Sequence, residues 1–219
     1  MHLTLKNKYE FFDKSERRDG LSINDVTVLI ALAEKKAHKK AVFVEVGSWK
    51  GHSSCVIASV LKKQGGELYC VDHWKGSPGV FHHGLETDCF QTFRNNIREC
   101  KLEKYIHPLE MDSYTASKIF KDEIADFIFI DADHRYKNIL KDLKLWYPKV
   151  KKGGILCGHD CEWFFSNYTL DEQKQIEYTK NEDYNHDIKC HSGVIKALYD
   201  FFNDDYLKTN DAVVWVKKK

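Results

Sequence analysis

The sequence predicts an α/β fold with a doubly wound, mostly parallel sheet, and three stretches predict it. The first is VFVEVGSWKGHSS (42–54), in which Val42, Phe43, Val44 and Val46 run with little polar interruption, as in a strand buried on both faces. Gly47 and Gly51 then bracket Ser48, Trp49 and Lys50, and SSCVIASVLKK follows with apolar residues at helical spacing. The second stretch is ELYCVD (67–72), a strand ending in Asp72, a carboxylate suited to accept both hydroxyls of a ribose. The third is ADFIFIDADH (125–134), where an apolar strand stops at Asp131, Asp133 and His134. In an open α/β sheet a ligand binds outside the carboxyl ends of the strands, so three such tips are expected to meet at one mouth.

The remaining elements follow in order. Residues 1–20 are charged with aromatic insertions and read as an extension packed on the domain or on the mouth of its site. Ser22 is a candidate cap for a helix through VTVLIALAEKKAHKK, whose basic end suits the helix dipole. Gly65 and Gly66 turn the chain into the second strand. HWKGSPGVFHHGLETD is an irregular stretch of the kind that carries recognition; its His82 and His83 either face an acceptor or are merely exposed. A helix in LETDCFQTFRNNIREC leads to a short strand, YIHPLEM, ending at Asp112 and Ser113. After the 125–131 strand, HRYKNILKDLKLWYPKV has an apolar helical face of Ile139, Leu140, Leu143 and Trp146. Gly153 and Gly154 return the chain to ILCGHD (155–160), and residues 162–190 read as a lid or insertion. A helix in SGVIKALYDFF and a strand in DAVVWVK close the chain.

At 219 residues the chain suits one α/β domain spanning 1–219, with 1–40 as N-terminal extension and helix. Lys plus Arg (34) nearly balances Asp plus Glu (33), so no nucleic-acid footprint is evident. Seven cysteines without a CxxC pair read as free thiols in a reducing compartment, and the cytoplasm is the expected location. No apolar run approaches the ~20 residues that span a bilayer, so no membrane partner is expected.

EVGSWKG (45–51), VDHW (71–74), FIDADHRYKNILKDLKLWYPKVKKGG (129–154) and ILCGHD (155–160), in this order, resemble the class I S-adenosylmethionine (SAM) dependent methyltransferases. The likeness is to small-molecule O-methyltransferases, including metal-dependent enzymes that act on sugars of natural products, and it covers roughly residues 40–160. It implies a Rossmann-like sheet of seven strands with an antiparallel terminal strand at its edge. It implies SAM as cofactor, with Gly47 and Gly51 giving the methionine part access to backbone, Ser48 in the same turn and Asp72 on the ribose. His73 or Trp74 would border the adenine, and Asp112 and Ser113 would lie at its edge. Glu45 would contact the methionine amine through water or order the turn; otherwise it is a strand-end charge paired with Lys50. Ser53 and Ser54 would offer hydroxyls to the SAM carboxylate, though capping explains them equally well.

Methyl transfer to a hydroxyl needs the oxygen deprotonated as it attacks, and a divalent cation lowers the pKa of a bound hydroxyl. Asp131 and Asp160 end neighbouring strands and would share one ion, Mg2+ or another divalent cation, with His159 as third ligand and Asp131 also bordering the cofactor. The best-known metal-dependent members carry two acidic or acid-amide residues where this chain has His159 and Asp160; a His-Asp pair occurs in the wider family. In some related sugar methyltransferases a histidine at the place of His134 is the general base, and an ordinary pKa of about 6.5 suits that task. Asp133 competes as base, orients His134, or caps the helix. The expected partner is a small-molecule acceptor, with a homo-oligomer left open. Two other classes compete: a non-catalytic SAM-binding module, and a dinucleotide dehydrogenase, against which the absence of GxGxxG counts.

Overall fold

The apolar runs become the strands of one seven-stranded sheet in the computed structural model, which describes residues 20–76, 88–209 and 211–219. The strands are β1 (Val42–Val46), β2 (Glu67–Asp72), β3 (Ile106–Glu110), β4 (Ala125–Ile130), β5 (Val150–Gly158), β6 (Leu207–Lys208) and β7 (Trp215–Lys218). Their order is β3-β2-β1-β4-β5-β7-β6. The first five are parallel, and β7 runs antiparallel to both β5 and β6. The direction of winding reverses between β1 and β4, which puts the switch point, where such sheets bind ligands, at Gly47 and Asp131.

Helices cover both faces: α1 (Ile23–Lys36), α2 (His52–Gln64) and α3 (Cys89–Glu99) on one, α4 (Ser113–Ser117), α5 (Tyr136–Trp146) and α7 (Ser192–Phe202) on the other. Strand alternation feeds both cores. Phe127 and Phe129 of β4 pack with Phe43, Leu61 and Phe93, while Ile128 and Ile130 pack with Trp146, Leu143 and Trp215. Burying side chains of this size stabilises the fold by roughly 1.5–3 kcal/mol each. Pro108 sits in β3 because β3 is an edge strand, where one missing amide donor is harmless.

Several boundaries differ from the sequence reading. The helix capped by Ser22 does form, with a capping box to Asp25, but it stops at Lys36 because Ala37 turns extended. The fifth strand starts at Val150, so Gly153 and Gly154 lie inside it rather than before it. Strand β7 is not the edge of the sheet; the two-residue β6, which the sequence reading missed, lies outside it. Helix α6 (Leu170–Thr179) was also missed inside 162–190, because only Ile176 is buried and no apolar stripe betrays it. The extension up to residue 19 and the pair His82 and His83 lie outside the described residues.

Gly47 has φ +87°, and a Cβ there would stand 2.0 Å from the carbonyl oxygen of Asp131. Gly47→Ala therefore pushes the ends of β1 and β4 apart, and urea unfolding should show a loss of about 3 kcal/mol or more. An unchanged midpoint would show that the two turns do not meet this closely.

Candidate active site

The carboxyl ends of β1, β2 and β4 open on a cavity of about 570 Å³. Its wall includes Gly47, Ser48, Ser53, Asp72, His73, Trp74, Asp112, Ser113, Asp131, Asp133, His134, His159 and Asp160. Of the residues singled out from sequence for cofactor, metal or catalysis, Glu45, Gly51 and Ser54 are not on that wall.

The turn after β1 is held by Asp72. One carboxylate oxygen accepts the amides of Ser48 at 3.0 Å and Trp49 at 2.8 Å, and the other accepts the amide of Trp74 at 2.7 Å. Trp49 and Trp74 both have positive φ, 40° and 51°, which bulky residues adopt only when the surroundings enforce it. The enforcement is visible: the Trp74 indole donates to the Trp49 carbonyl at 2.7 Å and packs on Phe90 and Phe93. Asp72 therefore shapes the turn, and it lines the cavity.

Glu45 falls on the side of β1 that also buries Phe43, under α2, and is fully buried. It accepts hydrogen bonds from Ser48 at 2.7 Å, from Ser54, and from the Cys70 thiol at 3.3 Å. Burial pushes its pKa up, against hydrogen bonds from Ser53, Ser54 and Ser48 that pull it down. Of its three sequence readings, turn-ordering is the one the contacts match; neither a Lys50 pair nor a place on the cavity wall is found. Gly51 is likewise not a point of ligand approach: with φ +84°, its missing Cβ makes room for the Phe93 ring.

Across the mouth, three histidines and several carboxylates form one network. His159, buried at the end of β5, has Nδ1 3.0 Å from Asp160 and Nε2 3.4 Å from Asp25 of α1. Burial disfavours its charge, but Asp160 and Asp25 outweigh that and push its pKa up to about 11. Asp160 has φ +62°, a left-handed conformation that aspartate tolerates better than most residues. Nε2 of His134 lies 3.0 Å from Asp160 and 3.9 Å from Asp131, while its Nδ1 lies 3.0 Å from Asp183.

That arrangement sets His134 among carboxylates. Burial opposes its charge, while Asp160, Asp131 and Asp183 raise its pKa above the ordinary 6.5. Asp133 does not orient it. Its carboxylate takes the Arg135 guanidinium through Nε at 2.8 Å and through Nη2, and also accepts the Arg135 amide at 3.0 Å. Burial raises the Asp133 pKa, but Arg135 more than offsets this and leaves it below the usual range, a poor base.

Asp131, His159 and Asp160 offer ligand atoms all within 4.8 Å of one another, and so do His134, Asp160 and His191. Carboxylate oxygens with imidazole nitrogens at such spacing suit a divalent cation, so these residues fit the ion that the resemblance implies.

Residues 44–161, more than half of the chain, match the sequence profile of a family described as a methyltransferase domain. The chain belongs to this family. Among solved structures, the methyltransferase is similar to an O-methyltransferase from Bacillus cereus in complex with SAH, at 16% identity and TM-score 0.62, over 99% of this chain and 96% of that one. It is similar to the cofactor-bound Rv0187 from MTB at 12% identity and TM-score 0.61, over 91% and 81% of the two chains. The O-methyltransferase NovP matches at 15% identity and TM-score 0.60, over 90% and 81%. At these identities the likeness is one of fold. The family match sets aside the dehydrogenase alternative.

Sequence reasoning missed four groups that the methyltransferase places at or beside this mouth. His191, before α7, pairs with Glu162 at 2.5 Å and meets the His134 ring edge-on at 4.8 Å. Asp25 and Asp183 back the other two histidines. Each comes from an element remote in sequence, so no local spacing signals it. The fourth is Asp142 of α5, a buried wall residue that accepts from the Ser113 hydroxyl at 2.5 Å, while that hydroxyl accepts from the Trp146 indole at 2.8 Å. A carboxylate in the apolar stripe of α5 was the available signal.

Burial pushes the Asp142 pKa up to about 6, partly offset by the Ser113 hydrogen bond. Because the folded value lies above the ordinary 3.8, its favourable contribution is complete below about pH 4 and is lost as pH rises through 6. Asp142→Asn, which cannot ionise, should gain on the wild type between pH 4 and pH 8 by on the order of 2–3 kcal/mol in urea melts. A constant difference across that window would show that Asp142 is not held neutral.

Proposed function

We propose that this methyltransferase moves the methyl group of SAM to a hydroxyl of a polyhydroxylated small molecule such as a sugar, assisted by a divalent cation. The observation that carries the reading is convergence. The Gly47 turn, Asp72, Asp112 with Ser113, and the Asp131–Asp160 cluster line a single cavity of about 570 Å³, a size suited to a small-molecule site. The Bacillus cereus O-methyltransferase in complex with SAH and the O-methyltransferase NovP share the fold and support both donor and reaction type.

In this reading the turn 47–49 receives the methionine part of SAM, with Ser53 at the start of α2 offering its hydroxyl to the carboxylate. Asp72 takes a ribose hydroxyl on Oδ1, which has a single amide partner. His73, Trp74, Asp112 and Ser113 surround the adenine, and Asp142 holds the Ser113 hydroxyl in one orientation. Asp131, Asp160 and Nδ1 of His159, which gives up its proton on binding, would hold the cation, and the cation would supply a lowered pKa to a bound hydroxyl. His134 bridges Asp160 and Asp183, so it fixes the carboxylate that faces the acceptor. Arg135 keeps Asp133 ionised beside the same wall.

The test is release of SAH from SAM in the presence of a panel of sugars, phenols and peptides, with and without EDTA. Turnover is expected with a polyhydroxylated acceptor and should fall at least about a hundredfold in EDTA or in Asp131→Ala, while SAH affinity by calorimetry stays within a few-fold. Undiminished turnover in EDTA removes the cation; failure of SAH to bind removes the whole reading.

A further inference from the structure

We infer that the ion this site selects is a first-row transition-metal cation such as Mn2+ rather than Mg2+, through His159, which Asp25 locks as a nitrogen ligand. The inference rests on the metal reading above and deepens it by naming the ion and a positioning residue that sequence did not reveal.

The donor set decides the class of ion. Hard oxygen ligands alone suit Mg2+, whereas an imidazole nitrogen shifts preference toward first-row transition metals. His159 is buried at the strand end, with its amide held to the Ile130 carbonyl at 3.2 Å, so its ring has little freedom to leave. Its Nδ1 lies 3.0 Å from an Asp160 oxygen. That is a hydrogen-bond distance, and ligands about 2.1 Å from one ion and adjacent on it also stand about 3 Å apart, so exchange of the shared proton for an ion needs little movement of either group.

Asp25 supplies the other half. It is buried at 3% exposure, and its carboxylate faces the far nitrogen of His159 at 3.4 Å. That distance is a charge contact, and Nε2 has no hydrogen-bond partner of good geometry, so a small shift of the ring completes the bond. The carboxylate itself cannot wander. One oxygen accepts from the Ser22 amide at 2.8 Å and its hydroxyl at 2.5 Å, and the other accepts the Val213 amide at 2.8 Å. A carboxylate that takes the outer N–H of a ligating histidine fixes which nitrogen faces the ion, and its loss typically costs 10- to 100-fold in metal affinity. Asp25 thus ties the first turn of α1 and the approach to β7 to the orientation of a ligand on β5.

The competing structural account is an ion-free chain of charges, Asp25, His159 and Asp160, that only staples α1 to the sheet. Pulsed electron paramagnetic resonance of Mn2+ bound to the full chain separates the two. The wild type should show nitrogen-14 coupling and bind Mn2+ at least tenfold tighter than Mg2+, measured by competition. His159→Asp should lose that coupling and shift the Mn2+ to Mg2+ preference at least fivefold toward Mg2+. Asp25→Asn should weaken Mn2+ binding 10- to 100-fold with SAH affinity unchanged, which reports an intact fold; His159→Asn replaces His159→Asp if the latter fails to bind SAH. Persistence of nitrogen coupling in either His159 variant, equal affinity for the two ions in the wild type, or wild-type Mn2+ affinity in Asp25→Asn overturns the inference. A wild type that binds SAH but neither ion overturns the metal reading instead.

Discussion

The site depends on one backbone contact, the approach of the turn after β1 to the end of β4. The Asp131 amide donates to the Val46 carbonyl at 2.8 Å and the Gly47 amide to the Val71 carbonyl at 2.9 Å, so three strand ends are tied into one rim. No side chain fits at Gly47, because its place is taken by the Asp131 carbonyl. The chemistry of the two turns is thereby fixed in relative position before any ligand arrives. Preorganisation of this kind is what lets a site spend binding energy on reaction rather than on assembly.

Charge compensation is the second constraint. Asp25, Glu45, Asp142, His159 and Asp160 are all buried, and an isolated buried charge would cost several kcal/mol. The structure resolves each differently. Glu45 and Asp142 sit among hydroxyls and shift toward the neutral form, whereas His159 stands between the carboxylates of Asp25 and Asp160. The first two support the turn after β1 and Ser113; the other three lie on the side where the fold brings possible ligand atoms together.

The same pairing explains why a histidine at a strand end is not automatically a base. His134 is ringed by three carboxylates, which stabilise its charged form, and Arg135 removes Asp133 from competition. A sequence shows that Asp131, Asp133 and His134 are close along the chain. Whether they face one another depends on Asp160 and Asp183, which arrive from β5 and from the turn after α6.

What the sequence determined by itself was local. Unbroken β-branched and aromatic runs specified the buried parallel strands, Ser22 specified the first helix start, and the polar tips at Asp72 and Asp131 marked strand ends that line the cavity. Helix α6 and strand β6 escaped because one buried residue in the former and two residues of length in the latter leave no period to detect. Only the tertiary structure decided that Glu45 faces α2 rather than the cavity, that β7 is interior to the sheet edge, and that Asp25 stands behind His159. The reason is physical: periodicity records which face a residue presents to its own element, whereas the partner on the other side comes from strand order and helix packing, set by contacts distant in the chain.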